Sequence, residues 1–266
     1  MNLLFWRKNI IFATHAHYDD EAFDEDREML LDSMKENGIG WIVNACASAE
    51  HMEETIALME KYPFIYGAVG VHPDDADKMT EETLSKIRRF SRHEKAVAIG
   101  EIGLDYYWHK EKEEHDIQKK MFRAQMDIAR EEKLPFMIHS RDAAEDTLSI
   151  VREYVKEGMS GGIIHCFSYG KEMAREYLNM GLFLGIGGVV TFKNAKKLKE
   201  VVTYAPLSQL VLETDCPYMS PEPYRGKRNS SLNLPYVAQA IGELKGISAE
   251  EVVKITEENA RRLLGI

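Results

Sequence analysis

Eight short apolar runs, rich in β-branched residues, recur along the chain with stretches of helical periodicity between them. They occupy residues 10–13, 39–46, 64–71, 96–100, 135–138, 161–164, 182–188 and 209–212. Most read as buried on both faces more than as strictly alternating, the mark of parallel strands covered by helices. Eight strand-helix units predict an α/β fold: a parallel sheet closed into a (β/α)8 TIM barrel, with an extra C-terminal helix. An open doubly wound sheet is the alternative. Such a barrel needs about 250 residues, so one domain over residues 1–266 suits the length, with residues 1–8 as an N-terminal extension.

Between the strands, residues 21–37 predict one helix, with Phe23, Leu30, Leu31 and Met34 at helical spacing and Gly38 as its stop. Further helices are expected over 49–61, 80–92, 112–133, 143–157, 171–180, 195–204 and 234–244. The last begins at Ser248-Ala249-Glu250-Glu251, a capping-box pattern, and turns Val252, Ile255, Leu263 and Leu264 toward the barrel.

What chooses the barrel over the open sheet is where the ionisable residues fall. His15 and His17, His72, Glu101, His139, His165 and Asp215 follow the C-terminal ends of predicted strands. In a barrel those ends converge on one face, where the active sites of this fold lie. Within Thr14-His15-Ala16-His17, strand alternation puts both imidazoles on one side, so they can share a metal ion.

If the barrel closes, His15 and His17 with Asp215 make one ligand set and His139 with His165 a second, and Glu101 can bridge two ions through its two oxygens. Mixed imidazole and carboxylate ligation suits Zn, Mn or Fe and leaves room for Mg. Two divalent ions about 3.5–4 Å apart clamp the attacking and leaving oxygens of a phosphate ester and acidify a water. Asp215 can orient that water or take its proton, which makes Asp215 and Glu101 the catalytic candidates. Glu213, two residues from Asp215, is expected to face the same way and to serve either a further, third ion or a structural hydrogen bond.

Charge narrows the partners. With 34 basic and 44 acidic residues the net charge is -10, which excludes coating nucleic acid through the whole surface but not local phosphate contact. The cluster Tyr224-Arg225-Gly226-Lys227-Arg228-Asn229 follows the eighth strand, where barrels often hold phosphate. It reads equally as a solvated loop. Three cysteines, Cys46, Cys166 and Cys216, are too few for a disulfide framework, and the apolar opening residues are too short for a membrane span, so a cytoplasmic location is expected. Cys166 and Cys216 read as core fillers, and His51, His93, His109 and His115 as solvated. Tyr106, Tyr107 and Trp108 can stack a base or pack the barrel rim.

Seven segments together resemble the TatD family of metal-dependent deoxyribonucleases: Thr-His-Ala-His-Tyr at 14–18, Gly-Val-His-Pro at 70–73, Gly-Glu-Ile-Gly-Leu-Asp-Tyr-Tyr at 100–107, Ile-His-Ser-Arg-Asp at 138–142, His-Cys-Phe-Ser at 165–168, Glu-Thr-Asp-Cys-Pro-Tyr at 213–218 and Arg-Gly-Lys-Arg-Asn at 225–229. The resemblance implies a barrel of the amidohydrolase-like group, two or more divalent metals, and hydrolysis of DNA phosphodiesters from strand ends. It carries His15, His17, Glu101, His139, His165 and Asp215 over as metal ligands, and His72, Arg141, Arg225, Lys227 and Arg228 as substrate contacts. Two positions depart from the family pattern. Ala13 stands where an Asp is common, and Ser230-Ser231 follows Asn229 where an acidic residue is common.

DNA is thus the expected partner, with no membrane and no obligate protein partner. A different metal-dependent hydrolysis on the same scaffold, such as that of a D-aminoacyl-tRNA deacylase or an amidohydrolase, is the alternative. Glu101, standing where many amidohydrolase-like sites use a carboxylated lysine, favours the phosphodiesterase branch by analogy. A non-enzymatic metal-bound scaffold would show no metal-dependent turnover.

Overall fold

The computed structural model describes residues 10–266, so the expected extension at residues 1–8 lies outside the described residues. Eight parallel strands pair in sequence order: β1 Ile11–Ala16, β2 Ile39–Ala45, β3 Ile65–Val69, β4 Ala96–Asp105, β5 Phe136–Arg141, β6 Gly162–Ile164, β7 Phe183–Ile186 and β8 Leu210–Leu212. Each is followed by a helix: α1 Arg27–Asp32, α2 Met52–Lys61, α3 Glu81–Ser91, α4 Lys112–Glu132, α5 Ala144–Lys156, α6 Lys171–Asn179, α7 Lys196–Tyr204 and α8 Leu234–Lys245, with α9 Ala249–Leu264 in addition. This is the (β/α)8 barrel with its extra C-terminal helix.

Strand alternation sorts the core into two clusters. Phe12, Val43, Met137, Ile163, Phe183 and Val211 pack together with Ala260 and Leu264 of α9, while their neighbours Ile11, Ile42, Ile138, Ile164, Leu184 and Leu212 join the larger cluster shared with the other helices. Strands β1 and β8 close the ring by side-chain and loop bonds instead of a ladder. Thr14 Oγ1 donates to the Leu212 carbonyl (3.1 Å), Thr214 donates through Oγ1 (2.9 Å) and its backbone N (3.1 Å) to the His15 carbonyl, and His17 N donates to the Cys216 carbonyl (2.9 Å).

The single helix expected over 21–37 is instead three pieces: a 3-10 turn at Glu21–Phe23, α1, and a second 3-10 turn at Lys35–Asn37. Asp20 caps the first turn by accepting the Ala22 N–H, and Arg27 reaches back to the carbonyls of Tyr18, Asp19 and Asp20. These bonds fold the segment against the strand end, and the helical run is broken at Asp26, whose φ of -140° lies outside the helical range. Gly38, at φ 83°, ends it as expected. Among the described residues no helix is long and apolar enough to cross a membrane.

Candidate metal centre

The C-terminal ends of the strands surround a cavity of about 730 Å³. Strand pleating aims side chains toward it: Glu101 and Asp105 share one face of β4 and His139 and Arg141 one face of β5, while His17 at the exit of β1 lines the cavity with the fully buried His15 behind it. Between Glu101 and Asp105, Gly103 has φ 147°, and a Cβ there would lie 1.9 Å from the His139 carbonyl oxygen. The absence of a side chain lets β4 and β5 approach at the level of the site.

Two groups of ligand atoms form around Glu101, which is 3 % exposed. In the first, His15 Nε2 and His17 Nε2 are 3.0 Å apart, and Glu101 Oε2 lies 3.3 and 3.5 Å from them. Asp215 Oδ1 lies 3.8 and 3.4 Å from the same two nitrogens. Donors about 2.0–2.1 Å from one tetrahedral ion sit about 3.4 Å from each other, so this donor set fits a single cation. In the second, His139 Nδ1 and His165 Nε2 are each 2.9 Å from Glu101 Oε1, and His72 Nε2 is 3.8 Å away. The two oxygens of Glu101 therefore have different nearest nitrogens, and His165, between the two groups, also lies with His15 and Asp215 in a set of ligand atoms within 4.8 Å of one another.

The outer nitrogens of the rings are held as well. His17 Nδ1 donates to the Ala45 carbonyl (2.8 Å), His15 Nδ1 lies 2.8 Å from Met137 Sδ, and His139 Nε2 lies 3.1 Å from Asp105 Oδ2. Such contacts turn the remaining nitrogen toward an ion. Burial pulls the His15 imidazole down. For His17, burial is outweighed by Asp215 and Glu101, which push it up to about 9. For His139, burial is likewise outweighed by Asp105 and Glu101, again up to about 9. Burial also opposes ionisation of Glu101 and Asp215, yet the surrounding histidines hold both carboxyls below their ordinary range. Imidazolium and carboxylate thus neutralise each other here, and a bound metal cation can take the place of the protons.

Of the expected substrate contacts, His72 and Arg141 line the cavity; Arg225, Lys227 and Arg228 are not among its lining residues. Arg228 pairs with Asp26 and donates to the Ala22 carbonyl, above the ring of Phe23, and Arg225 lies over Phe192 (4.2 Å to the ring centroid). Arg228 is thus paired within the protein, whereas Arg225 is exposed, with a ring contact alone among the described residues. Arg141 stacks on Tyr107 (3.9 Å) beside Trp108, which is 65 % exposed on the cavity wall. Tyr106 packs instead, stacked on His115 (3.6 Å between centroids).

Several expectations change. His109 and His115 are half-buried, because His109 Nε2 meets Asp74 Oδ1 (3.1 Å) and His115 Nε2 meets the His109 carbonyl (2.9 Å). His51 is exposed, as expected, but stands at the cavity lip. Glu213 does not face the way Asp215 does: β8 ends at Leu212 and Asp215 has φ 55°, so alternation no longer applies between them. Sequence reasoning gave no role to Asp105, although its position four residues after Glu101 on one strand is a signal. It also passed over Asp19, a buried cavity residue fixed by Asn44 Nδ2 (2.9 Å) and Thr55 Oγ1 (3.2 Å).

The family model described as "TatD related DNase" matches residues 12–265. A Bacillus subtilis relative called "Uncharacterized metal-dependent hydrolase YabD" is 48 % identical, over 97 % of this chain and 100 % of its own length. The "3'-5' ssDNA/RNA exonuclease TatD" of Rahnella sp. is 30 % identical, over 96 % of this chain and 98 % of its own. The crystal structure of YJJV, a TatD homolog from Escherichia coli K12, superposes with a TM-score of 0.89 at 28 % identity, covering 96 % of this chain and 98 % of that one.

Proposed function

The chain belongs to the TatD-related DNase family and is a metal-dependent hydrolase, and on that premise we propose that it hydrolyses phosphodiester bonds at the ends of DNA strands, using two divalent ions. The observation that carries this reading is the split of Glu101, whose Oε2 faces His15 and His17 and whose Oε1 faces His139 and His165. In this reading His15, His17, Glu101 and Asp215 hold one ion, and His139, His165 and Glu101 the other. Ions bound there supply the positive charge that polarises a phosphoryl oxygen and acidifies a water.

The chain's own groups do the rest. Asp215, at the edge of the first set, orients the attacking water. Arg141 presents a guanidinium to a phosphate, and Trp108 beside it offers an exposed ring face to the terminal base. His72, 3.8 Å from Glu101 at the second set, would be the group placed to meet the leaving oxygen. Arg225, Lys227 and Arg228 serve the substrate only through the loop they brace.

One observation favours a second reading. Asp19, Asp20, Glu21 and Asp74 also line the cavity, and among the described residues its lining holds one Lys or Arg, Arg141. That acidic rim suits a substrate bearing an ammonium group, such as the ester between an amino acid and tRNA. Labelled single-stranded DNA and an aminoacyl-tRNA, each incubated with protein and added divalent metal, separate the two. Release of mononucleotides supports the nuclease; release of the amino acid with intact DNA overturns it.

A further inference from the structure

Glu213 is a fully buried carboxylate that the mechanism above does not use. Its Oε1 accepts the backbone N–H of Cys166 and lies 3.5 Å from His165 Nδ1. Its Oε2 has no hydrogen-bond partner, and neither has His165 Nδ1. A charge in such a place is costly unless it is paired, so its presence calls for a reason.

The surroundings are shaped to hold it. A Cβ on Gly185 would lie 2.0 Å from Glu213 Oε2 and 2.5 Å from its Cδ, so a side chain on β7 at this position would displace the carboxylate from where it stands. Cys166, whose N–H the carboxylate holds, has φ 43°, in the left-handed region that a residue with a side chain adopts at a cost. That turn immediately follows His165 and aims its Nε2 at Glu101 Oε1, 2.9 Å away.

We propose that Glu213 is the positioning residue of the second cation: it fixes the turn at Cys166 and favours the His165 tautomer with the proton on Nδ1, leaving the Nε2 lone pair for the ion. The inference rests on reading His165 as a ligand. Metal-bound histidines commonly hand their other nitrogen to a carboxylate, and removal of that partner typically lowers metal affinity about 10–100-fold. Glu213 and Gly185 then form one unit, contributed by the segments around two neighbouring strands.

The test is binding of Co²⁺ to the metal-stripped full chain, by chelator competition and visible absorption, for wild type, Glu213→Gln and Gly185→Ala. Glu213→Gln keeps an oxygen for the Cys166 N–H and loses the charge. The expected result is two classes of site in the wild type, one weakened about 10–100-fold in both variants and the other little changed. Two unchanged classes in Glu213→Gln overturn the proposal. Should the variants fail to fold, ¹⁵N NMR of the wild-type histidines decides: an Nδ1–H on metal-loaded His165 supports the role and an Nε2–H overturns it. No Co²⁺ binding by the wild type would instead remove the reading of the whole centre, a different failure.

Discussion

His139 meets Asp105 through Nε2 at 3.1 Å while its Nδ1 stays 2.9 Å from Glu101. Asp105 is itself pinned, its Oδ1 accepting the N–H groups of Tyr107 (2.9 Å) and Trp108 (3.0 Å). The ring is thus oriented from the same loop that carries the proposed base platform. Asp105→Asn should lower the affinity of the second ion about 10–100-fold, so that added metal restores activity at a higher concentration. An activation curve identical to wild type would remove Asp105 from the centre.

Glu101→Ala should cost both ions, since each nitrogen set loses its shared oxygen. Elemental analysis after dialysis should find sharply reduced metal in a protein with wild-type circular dichroism. Losing several kcal/mol of charge stabilisation would lower kcat by roughly 10³-fold or more. Retained hydrolysis of DNA in this variant would sink the nuclease assignment.

Arg141 and Arg228 should separate cleanly. Each phosphate contact contributes about 0.7 to the salt slope of single-strand binding, so Arg141→Ala should flatten the slope by roughly that amount and raise KM. Arg228→Ala breaks the Asp26 pair and should loosen the loop while leaving the slope unchanged. A flattened slope in Arg228→Ala would restore it as a phosphate contact.

Metal affinity should depend on pH through His17 and His139. Both stand at about 9 in the metal-free protein, so below that pH each carries a proton that an ion must displace. Affinity therefore rises with pH, by up to about tenfold per unit for each proton released, and levels off above about pH 9. Chelator competition across this range, with proton release followed by an indicator, checks it. A flat profile would mean that these two nitrogens do not meet the ion.

Tyr18 gives a prediction about stability alone. Its buried hydroxyl donates to Ser231 Oγ (2.9 Å) and accepts the Ser231 N–H (2.8 Å). Tyr18→Phe leaves both Ser231 groups without their partner and should cost about 1–3 kcal/mol in denaturant unfolding. It also accounts for one departure from the family pattern: with Ser231 at this place, the loop after β8 is tied to the exit of β1.

The barrel was legible because ionisable residues sit at one strand end after another, and His15, Glu101, His139, His165 and Asp215 do meet around one centre. The contacts that stayed hidden depend on the chain leaving regular geometry. Cys166 and Asp215 have positive φ, so extrapolating the strand's alternation past Ile164 or Leu212 misplaces the residues beyond, Glu213 included. The packing of the basic loop stayed hidden for another reason. Sequence reveals that Arg225 and Arg228 are charged, but not that Phe192 and Asp26 already occupy them. Residues 21–37 keep a helical spacing of apolar side chains while the backbone leaves the helical range at Asp26.

The seam between β1 and β8 joins Thr214 to the His15 carbonyl across 199 positions of sequence. Side chains that meet in the site therefore come from both extremes of the barrel, and His17 and Asp215 are strangers until the last strand docks. A partly synthesised chain, or one clipped before β8, would lack the carboxylate that completes the donor set around His15 and His17. Assembly of the site is in this way tied to the docking of the last strand.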